Sequence, residues 1–379
     1  MAEPLRVLQF LDDSQPGGGM IQLHQYAKWI DRDHFRLEFA LPSEGPLPDS
    51  LRDIGETVHP IDLKRRFDIP GIRRLAGLCS ELGVQIVHSH NARANVHARI
   101  ACRMAHVPVQ ISTIHNSIFN YGVSAVRQYL YVTAERFTAR WCAQIIAVSE
   151  GISGDLMNRY GFHPEKITVV PNGVDLDRIE PQLDRSSARS GLDVPADSTV
   201  ILQVGRLTPQ KGFDILLDAF SELQRDHPGL VLLLVGEGSS RYDLEEQARL
   251  LGIERQTRFL GHRDDIADLL CSADIVTLSS RSEGMPYTLL EAMAAGCPVI
   301  ATRIPGIEEV VRSEDLAVLV PPEDPEALAS AISGLLSDSA RVKSLGEAAR
   351  RYIHEHHTAR GMVEKVQRIY QLHYGRKVQ

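Results

Sequence analysis

The chain has 379 residues, too many for one ordinary core, and at roughly 150 residues per domain it calls for two domains. Its composition, 43% hydrophobic and 24% charged, is that of a soluble globular protein, and its formal net charge of −8 argues against general nucleic-acid affinity. Five scattered cysteines without C-x-x-C spacing exclude a disulfide framework or zinc site and read as reduced thiols.

Asp12 and Asp13 arrive before a signal-peptide core can form, and no apolar run approaches the ~20 residues that span a bilayer, so a cytoplasmic protein is expected. Arg6 to Leu11 reads as a strand, Ser14 to Gly19 as a glycine loop and Met20 to Ile30 as a helix. Backbone in such a loop approaches a ligand closely, but the spacing is not G-x-G-x-x-G, and a plain turn fits equally well. Strands are expected at Phe35 to Leu41, Val58 to Asp62, Val84 to His88, Val109 to Ile114 and Gln144 to Val148. Helices are expected at Ile72 to Leu82, Asn91 to Met104, Ala125 to Arg140 and Gly151 to Tyr160. This alternation implies right-handed crossovers and a mostly parallel sheet, with ligands beyond the carboxyl ends of the strands.

Two expected strand ends carry histidines, His88-Ser-His90 and Thr113-Ile-His115-Asn116. His88 reads as an ordinary hydrogen-bonded histidine, whereas His90 and His115 stand open between that and a ligand role. A metal is not expected, because H-x-H has no third clustered ligand and His354-Glu-His-His357 is not H-E-x-x-H. Lys64 to Arg66 with Arg73 and Arg74, and Tyr121 to Trp141 with Arg127, Arg136 and Arg140, read as solvated faces over core helices, with anionic lipid as the alternative contact.

Pro171 to Asp175 is a turn cluster, and Asp177 to Asp197, polar and irregular, reads as the linker. A second alternating series follows. Its strands are expected at Thr199 to Gly205, Leu230 to Gly236, Thr257 to Leu260, Asp274 to Leu278, Pro298 to Ala301 and Ala317 to Val320. Arg206 and Lys211, in Val204-Gly-Arg-Leu-Thr-Pro-Gln-Lys-Gly212, bring two cations to one strand end, a fork and a point charge suited to a diphosphate. Ser279 to Gly296 reads as a loop and helix start that aims backbone N–H groups at an anion, with Glu283 and Glu291 beside it. Its competing reading is a capping box, Thr288-Leu-Leu-Glu291.

Taken in order, Gly17-Gly-Gly19, His88-Ser-His90, Thr113-Ile-His115, Val170-Pro-Asn-Gly-Val-Asp175, the Arg206 and Lys211 segment, Val235-Gly-Glu-Gly238 and the Glu283 to Glu291 spacing resemble the family-4 retaining glycosyltransferases along nearly the whole chain. The resemblance implies an α/β GT-B fold of two Rossmann-like domains with parallel sheets facing each other across a cleft. They would be residues 1–175, completed by 358–379 through a final helix that crosses back, and residues 176–357. It implies that Arg206, Lys211, Gly18 and Gly19 attend the donor diphosphate, Glu291 the ribose, and backbone near His262 and Arg263 the base. Gly284, Met285 and Tyr287 would line the donor sugar, Glu283 and His115 would serve the chemical step, and His90 and Asn116 the acceptor.

The function implied is transfer of a hexose or N-acetylhexosamine from a nucleoside-diphosphate sugar to a saccharide or lipid-linked acceptor, in cell-envelope polysaccharide or glycolipid synthesis, at the inner face of the membrane where the acceptor is lipid. The sugar nucleotide is a co-substrate, and no cofactor or metal is called for. A nucleotide-sugar 2-epimerase of the same fold and a non-catalytic sugar-nucleotide-binding subunit are the alternatives. Intact Arg206, Lys211, Glu283 and Glu291 argue against the last.

Overall fold

The computed structural model describes residues 3–120 and 122–378. They form two compact units, one running up to Asn172 and resuming at Ala359, the other spanning Gly173–Thr358.

In the first unit seven parallel strands, β1 (Leu5–Leu11), β2 (Phe35–Leu41), β3 (Val58–Pro60), β4 (Ile86–His90), β5 (Val109–Ile114), β6 (Gln144–Ala147) and β7 (Ile167–Val169), lie in the order β3-β2-β1-β4-β5-β6-β7. The second unit has six, β8 (Thr199–Val204), β9 (Leu230–Val235), β10 (Thr257–Gly261), β11 (Ile275–Leu278), β12 (Val299–Thr302) and β13 (Val318–Val320), in the order β10-β9-β8-β11-β12-β13. Helices cover both faces of such sheets, so central strands are near-continuous apolar runs. Leu230–Val235, buried at all six positions, is the plainest case. In each unit the strand order reverses once, between β1 and β4 and between β8 and β11. The loops leaving those pairs flank a crevice at the carboxyl end of the sheet.

Three sequence expectations change. Gly18 and Gly19 are not loop but the first turn of the Gly18–Trp29 helix. A Cβ on Gly19 would stand 3.1 Å from Leu11 Cδ2, so the missing side chain lets the helix start close onto the end of β1. The expected linker holds a helix, Arg185–Gly191, capped by Asp184, with Arg189 donating to Asp274 (2.6 Å) and to the carbonyls of Ser272 (3.0 Å) and Ser198 (2.9 Å). Seven residues are too few to show a period, and this helix is held by a cap and a buried guanidinium instead of an apolar stripe. Pro325–Leu336 and Ser339–His356 are further helices of the second unit.

The helix Ala125–Ala139 exposes Arg127 and Arg136, with Arg140 just beyond it, as a solvated face requires, but most of its outward side is apolar. Val126, Tyr129, Leu130 and Phe137 are exposed, while Glu135 and Thr138 are buried. Tyr121, where that stretch was expected to begin, lies outside the described residues. Lys64 to Arg66 and Arg73 with Arg74 are exposed, as a solvated face requires.

The helix Ala359–Val378 belongs to the first unit. Met362, Val363, Val366, Ile369 and Tyr370 are buried in one core cluster with Leu23, Tyr26, Phe35 and Ile86. Each such side chain contributes ~1.5–3 kcal/mol of burial, so this helix is part of the core. Among the described residues no helix is long and apolar enough to cross a membrane.

Candidate functional site

In the second unit the loops after β8 and β11 are stitched together by one side chain. Gln203 donates from Nε2 to the carbonyl of Lys211 (3.0 Å), and its Oε1 accepts from Ser279 Oγ (3.0 Å) and Ser279 N–H (3.3 Å). The single Ser279 hydroxyl proton is shared with the Gly212 carbonyl, 2.7 Å away, and Gln210 Nε2 donates to the carbonyl of Ser282 (2.7 Å). The approach depends on Gly212. Its φ is +63°, and a Cβ there would lie 2.0 Å from the Ser279 carbonyl oxygen.

The two expected diphosphate cations are held differently. Lys211 Nζ lies 2.5 Å from Glu283 Oε1, and that oxygen also accepts from Ser280 Oγ (2.8 Å). The pair is nearly out of solvent, 17% exposed at Lys211 and 7% at Glu283. Arg206 is exposed, and its guanidinium carries no hydrogen bond or ion pair among the described residues. One cation is therefore open to a ligand and the other is already neutralised. Sequence reasoning set Glu283 apart from the cations, and the structure joins it to one of them.

The helix after β11 runs Tyr287–Ala294, with Pro286 at the cap position and no side chain capping it. The capping box is thereby overturned. The fixed φ of proline starts the helix at Tyr287, which makes Thr288 the second helical residue and removes Glu291 from the capping position. Glu291 sits half-buried one turn in from Tyr287. Burial pushes its carboxyl up to about 6, with Arg178 pulling the other way. Met285 and Tyr287 are buried, which leaves mainly their backbone for a ligand. Gly306 packs against this segment so closely that a Cβ would lie 2.4 Å from the Gly284 carbonyl oxygen and 2.5 Å from that of Glu283. His262 and Arg263, after β10, face carboxylates of their own turn, Asp264 (3.2 Å) and Asp265 (2.8 Å).

The first unit's candidates lie at the ends of β1, β4 and β5. His88 is fully buried and satisfied, with Nδ1 2.6 Å from the Tyr370 hydroxyl and Nε2 2.7 Å from Thr113 Oγ1, an ordinary structural role. His90 stacks on it, ring centroids 4.3 Å apart, with Nε2 2.9 Å from Gln9 Oε1 and Nδ1 without a partner. His115 follows at 5.8 Å from His90, and its buried Nε2 also has no partner. Burial holds all three imidazoles neutral, lowering His88 to about 3 and His115 to about 4, and His90 well below its usual value. Asn116 spends its carbonyl oxygen on Ser117 N–H (2.9 Å) and Asn120 Nδ2 (2.6 Å).

Two residues here were not singled out in the sequence. Asp12, at the end of β1, lies 3.3 Å from Arg93 Nε and is pushed up to about 6, chiefly by burial. Its only sequence signal is an aspartate just past a strand expected to border the crevice. Arg178, the counter-charge of Glu291, carries no signal at all, because 113 positions separate them.

Residues 184–352 match the family model of the glycosyl transferases group 1, and residues 16–178 that of Glycosyltransferase Family 4. The chain is 30% identical over 337 residues to a D-inositol 3-phosphate glycosyltransferase of Corynebacterium aurimucosum, covering 81% of this chain and 79% of that protein. It is 27% identical over 317 residues to the UDP-Gal:alpha-D-GlcNAc-diphosphoundecaprenol alpha-1,3-galactosyltransferase of Escherichia coli, covering 82% of each. Among solved structures, Anabaena Alr3699/HepE in complex with UDP-glucose superposes with a TM-score of 0.87 at 24% identity, over 97% of this chain and 99% of that one.

Proposed function

The chain belongs to the group-1, family-4 glycosyltransferases of GT-B fold, and we propose that it moves a hexose or N-acetylhexosamine, with retention, from a UDP- or GDP-linked sugar to an acceptor hydroxyl in the building of cell-envelope polysaccharide or glycolipid. The observation that carries this reading is the unpaired Arg206 guanidinium in the crevice between β8 and β11, which also holds the Lys211–Glu283 pair and an uncapped helix start. The E. coli relative acts, by its name, on a lipid-diphosphate sugar, which supports a saccharide or lipid-linked acceptor.

The chemistry follows from where charge develops. As the bond from the anomeric carbon to the phosphate oxygen breaks, its electron pair stays on the leaving diphosphate. Arg206, Lys211 and the helix start at Tyr287 stabilise that charge, so the scheme needs no metal. The acceptor oxygen bonds to the anomeric carbon on the face the phosphate leaves, and its proton passes to a phosphate oxygen. Glu283 offers its carboxylate to the sugar hydroxyls and to the positive charge on the ring. Glu291 accepts from the ribose, with backbone near His262 and Arg263 flanking the base. Gly18 and Gly19 approach the phosphates, neutral His115 stands beside the transferred sugar, and His90 and Asn116 attend the acceptor.

A thermal-shift screen of UDP- and GDP-sugars tests the donor. The right one, at about a hundred times its dissociation constant, should stabilise by ~2.7 kcal/mol. Transfer with that donor, in the presence of a chelator, should give a product with the donor's anomeric configuration. An inverted product would sink the mechanism. Interconversion of donor sugars without acceptor would make the protein an epimerase, and binding without turnover a binding subunit.

A further inference from the structure

The helix Ala125–Ala139 is turned inside out relative to an ordinary surface helix. Its inward side is polar. Glu135, fully buried, accepts from Arg99, itself fully buried, whose guanidinium also reaches the Glu135 carbonyl (3.3 Å) and Thr138 Oγ1 (3.3 Å). Its outward side is mostly apolar, with Thr133 inside the stripe and Arg127 and Arg136 flanking it. Val126, Tyr129, Leu130 and Phe137, at 70%, 71%, 61% and 50% exposure, fall within roughly 100° of helical arc. Trp141, just past the helix, stands edge-on to Phe137 with centroids 5.4 Å apart, and the Arg140 guanidinium lies 4.2 Å from the Phe137 ring. A buried ion pair is an expensive way to seat a helix, so its polar inward side fixes which face looks out.

The charge of the helix and of the sequence leading into it points to what the stripe meets. From Lys64 to Trp141 the sequence carries eleven Lys and Arg against three Asp and Glu, an excess of eight positive charges in a chain whose net charge is −8. Asp68 and Glu135 are buried, as is Arg99, and Arg93 pairs with Asp12, which leaves nine exposed cations on this segment against one exposed carboxylate, Glu81. A second copy of the chain is a poor occupant. A two-fold contact through the stripe would bring Arg127, Arg136 and Arg140 of both copies together, and the only carboxylate of the helix, Glu135, is buried. We infer that the outward face of the Ala125–Ala139 helix seats the first unit on an anionic phospholipid bilayer, its aromatic and aliphatic side chains entering the headgroup region and its arginines pairing with lipid phosphates. The contact lies on the membrane surface, since none of the described helices can cross it. It stands apart from the donor chemistry and holds whatever sugar is transferred.

The test is co-sedimentation of the full chain with phosphatidylcholine vesicles and with vesicles that also contain phosphatidylglycerol. The chain should pellet only with the anionic vesicles, and added salt should release it. Arg127→Gln with Arg140→Gln should weaken binding by roughly ten- to thirtyfold. Leu130→Glu with Phe137→Glu should abolish it, with unchanged circular dichroism and nucleotide binding showing that the fold is intact. With Trp29→Phe as background, Trp141 is the sole tryptophan, and its emission should shift to shorter wavelength on the anionic vesicles. Equal binding to neutral vesicles, full binding by the Leu130 and Phe137 variant, or no binding at all would overturn the assignment. So would a concentration-dependent dimer in sedimentation velocity that the same substitutions dissolve, which would give the stripe to a second copy.

Discussion

At the scale of single residues, the Lys211–Glu283 pair makes two effects of one substitution separable. Glu283 holds Lys211 before any phosphate arrives, so an incoming diphosphate competes with a carboxylate for that ammonium. Glu283→Gln should leave nucleoside-diphosphate affinity unchanged or tighter while turnover falls on the order of 10²–10³, the scale for losing one preorganised electrostatic contact. Calorimetry beside steady-state transfer reads both, and weaker nucleotide binding with normal turnover would reverse the roles. Arg206→Ala, which breaks no internal pair, should weaken nucleoside-diphosphate binding by roughly 1.5–3 kcal/mol and lower turnover as well, because the charge it meets grows as the bond to phosphate breaks. Glu291 gives a pH signature. Its folded pKa is raised above the unfolded value of 4.5 to about 6, so its ionisation favours the unfolded chain. Stability from this group is fully present below 4.5 and lost as pH rises through 6. Glu291→Gln should therefore stabilise the protein at pH 7, by at most ~2 kcal/mol, with the gain vanishing toward pH 4.5. The same variant should lose donor affinity, whereas a capping glutamate would have tolerated the change.

Elements depend on close approaches that one methyl group can spoil. Gly306→Ala would push on the backbone carbonyls of Glu283 and Gly284, which cannot swing aside as a side chain could, so we expect a lowered unfolding midpoint together with a large loss of turnover, checked by urea titration beside transfer assays. Arg99→Ala leaves Glu135 buried without its counter-charge, and the stability lost should be about 3–5 kcal/mol. Most strands were legible in the sequence because a strand covered on both faces is a short apolar run bounded by turns, as in Leu230–Val235. The Arg185–Gly191 helix was not, since its cohesion comes from a cap and a buried arginine. The Lys211 and Glu283 positions were legible, each at a strand end, but their pairing was not, because 72 residues separate them and only the reversal in strand order brings the loops together. Periodicity suggested an ordinary core helix at Ala125 to Arg140. That helices have an apolar side was legible there, but which side faces out is settled by Arg99, on a different helix.

At the scale of the whole molecule, the stacked histidines set the acid limit. His88, His90 and His115 stay neutral in the fold, whereas in the unfolded chain each takes a proton below about 6.5. Their contribution falls as pH drops from 6.5 toward 4, by ~1.4 kcal/mol per pH unit for each histidine, while Asp12 and Glu291 act in the opposite sense. Urea unfolding at pH 7.5 and 5.0 should show a shallower loss for His88→Gln than for the natural chain, and an equal loss would remove the stack from the account. The Tyr370 hydroxyl on which His88 leans belongs to the helix Ala359–Val378, and this bears on how the protein is made. The second unit is one continuous stretch and can finish as it leaves the ribosome. The first unit begins the chain but lacks Met362, Val366 and Tyr370 until translation has passed Ala359. At ribosomal speeds its sheet waits roughly ten to forty seconds with one apolar flank uncovered. Chaperone demand and aggregation during synthesis should therefore fall on the half of the protein that is translated first.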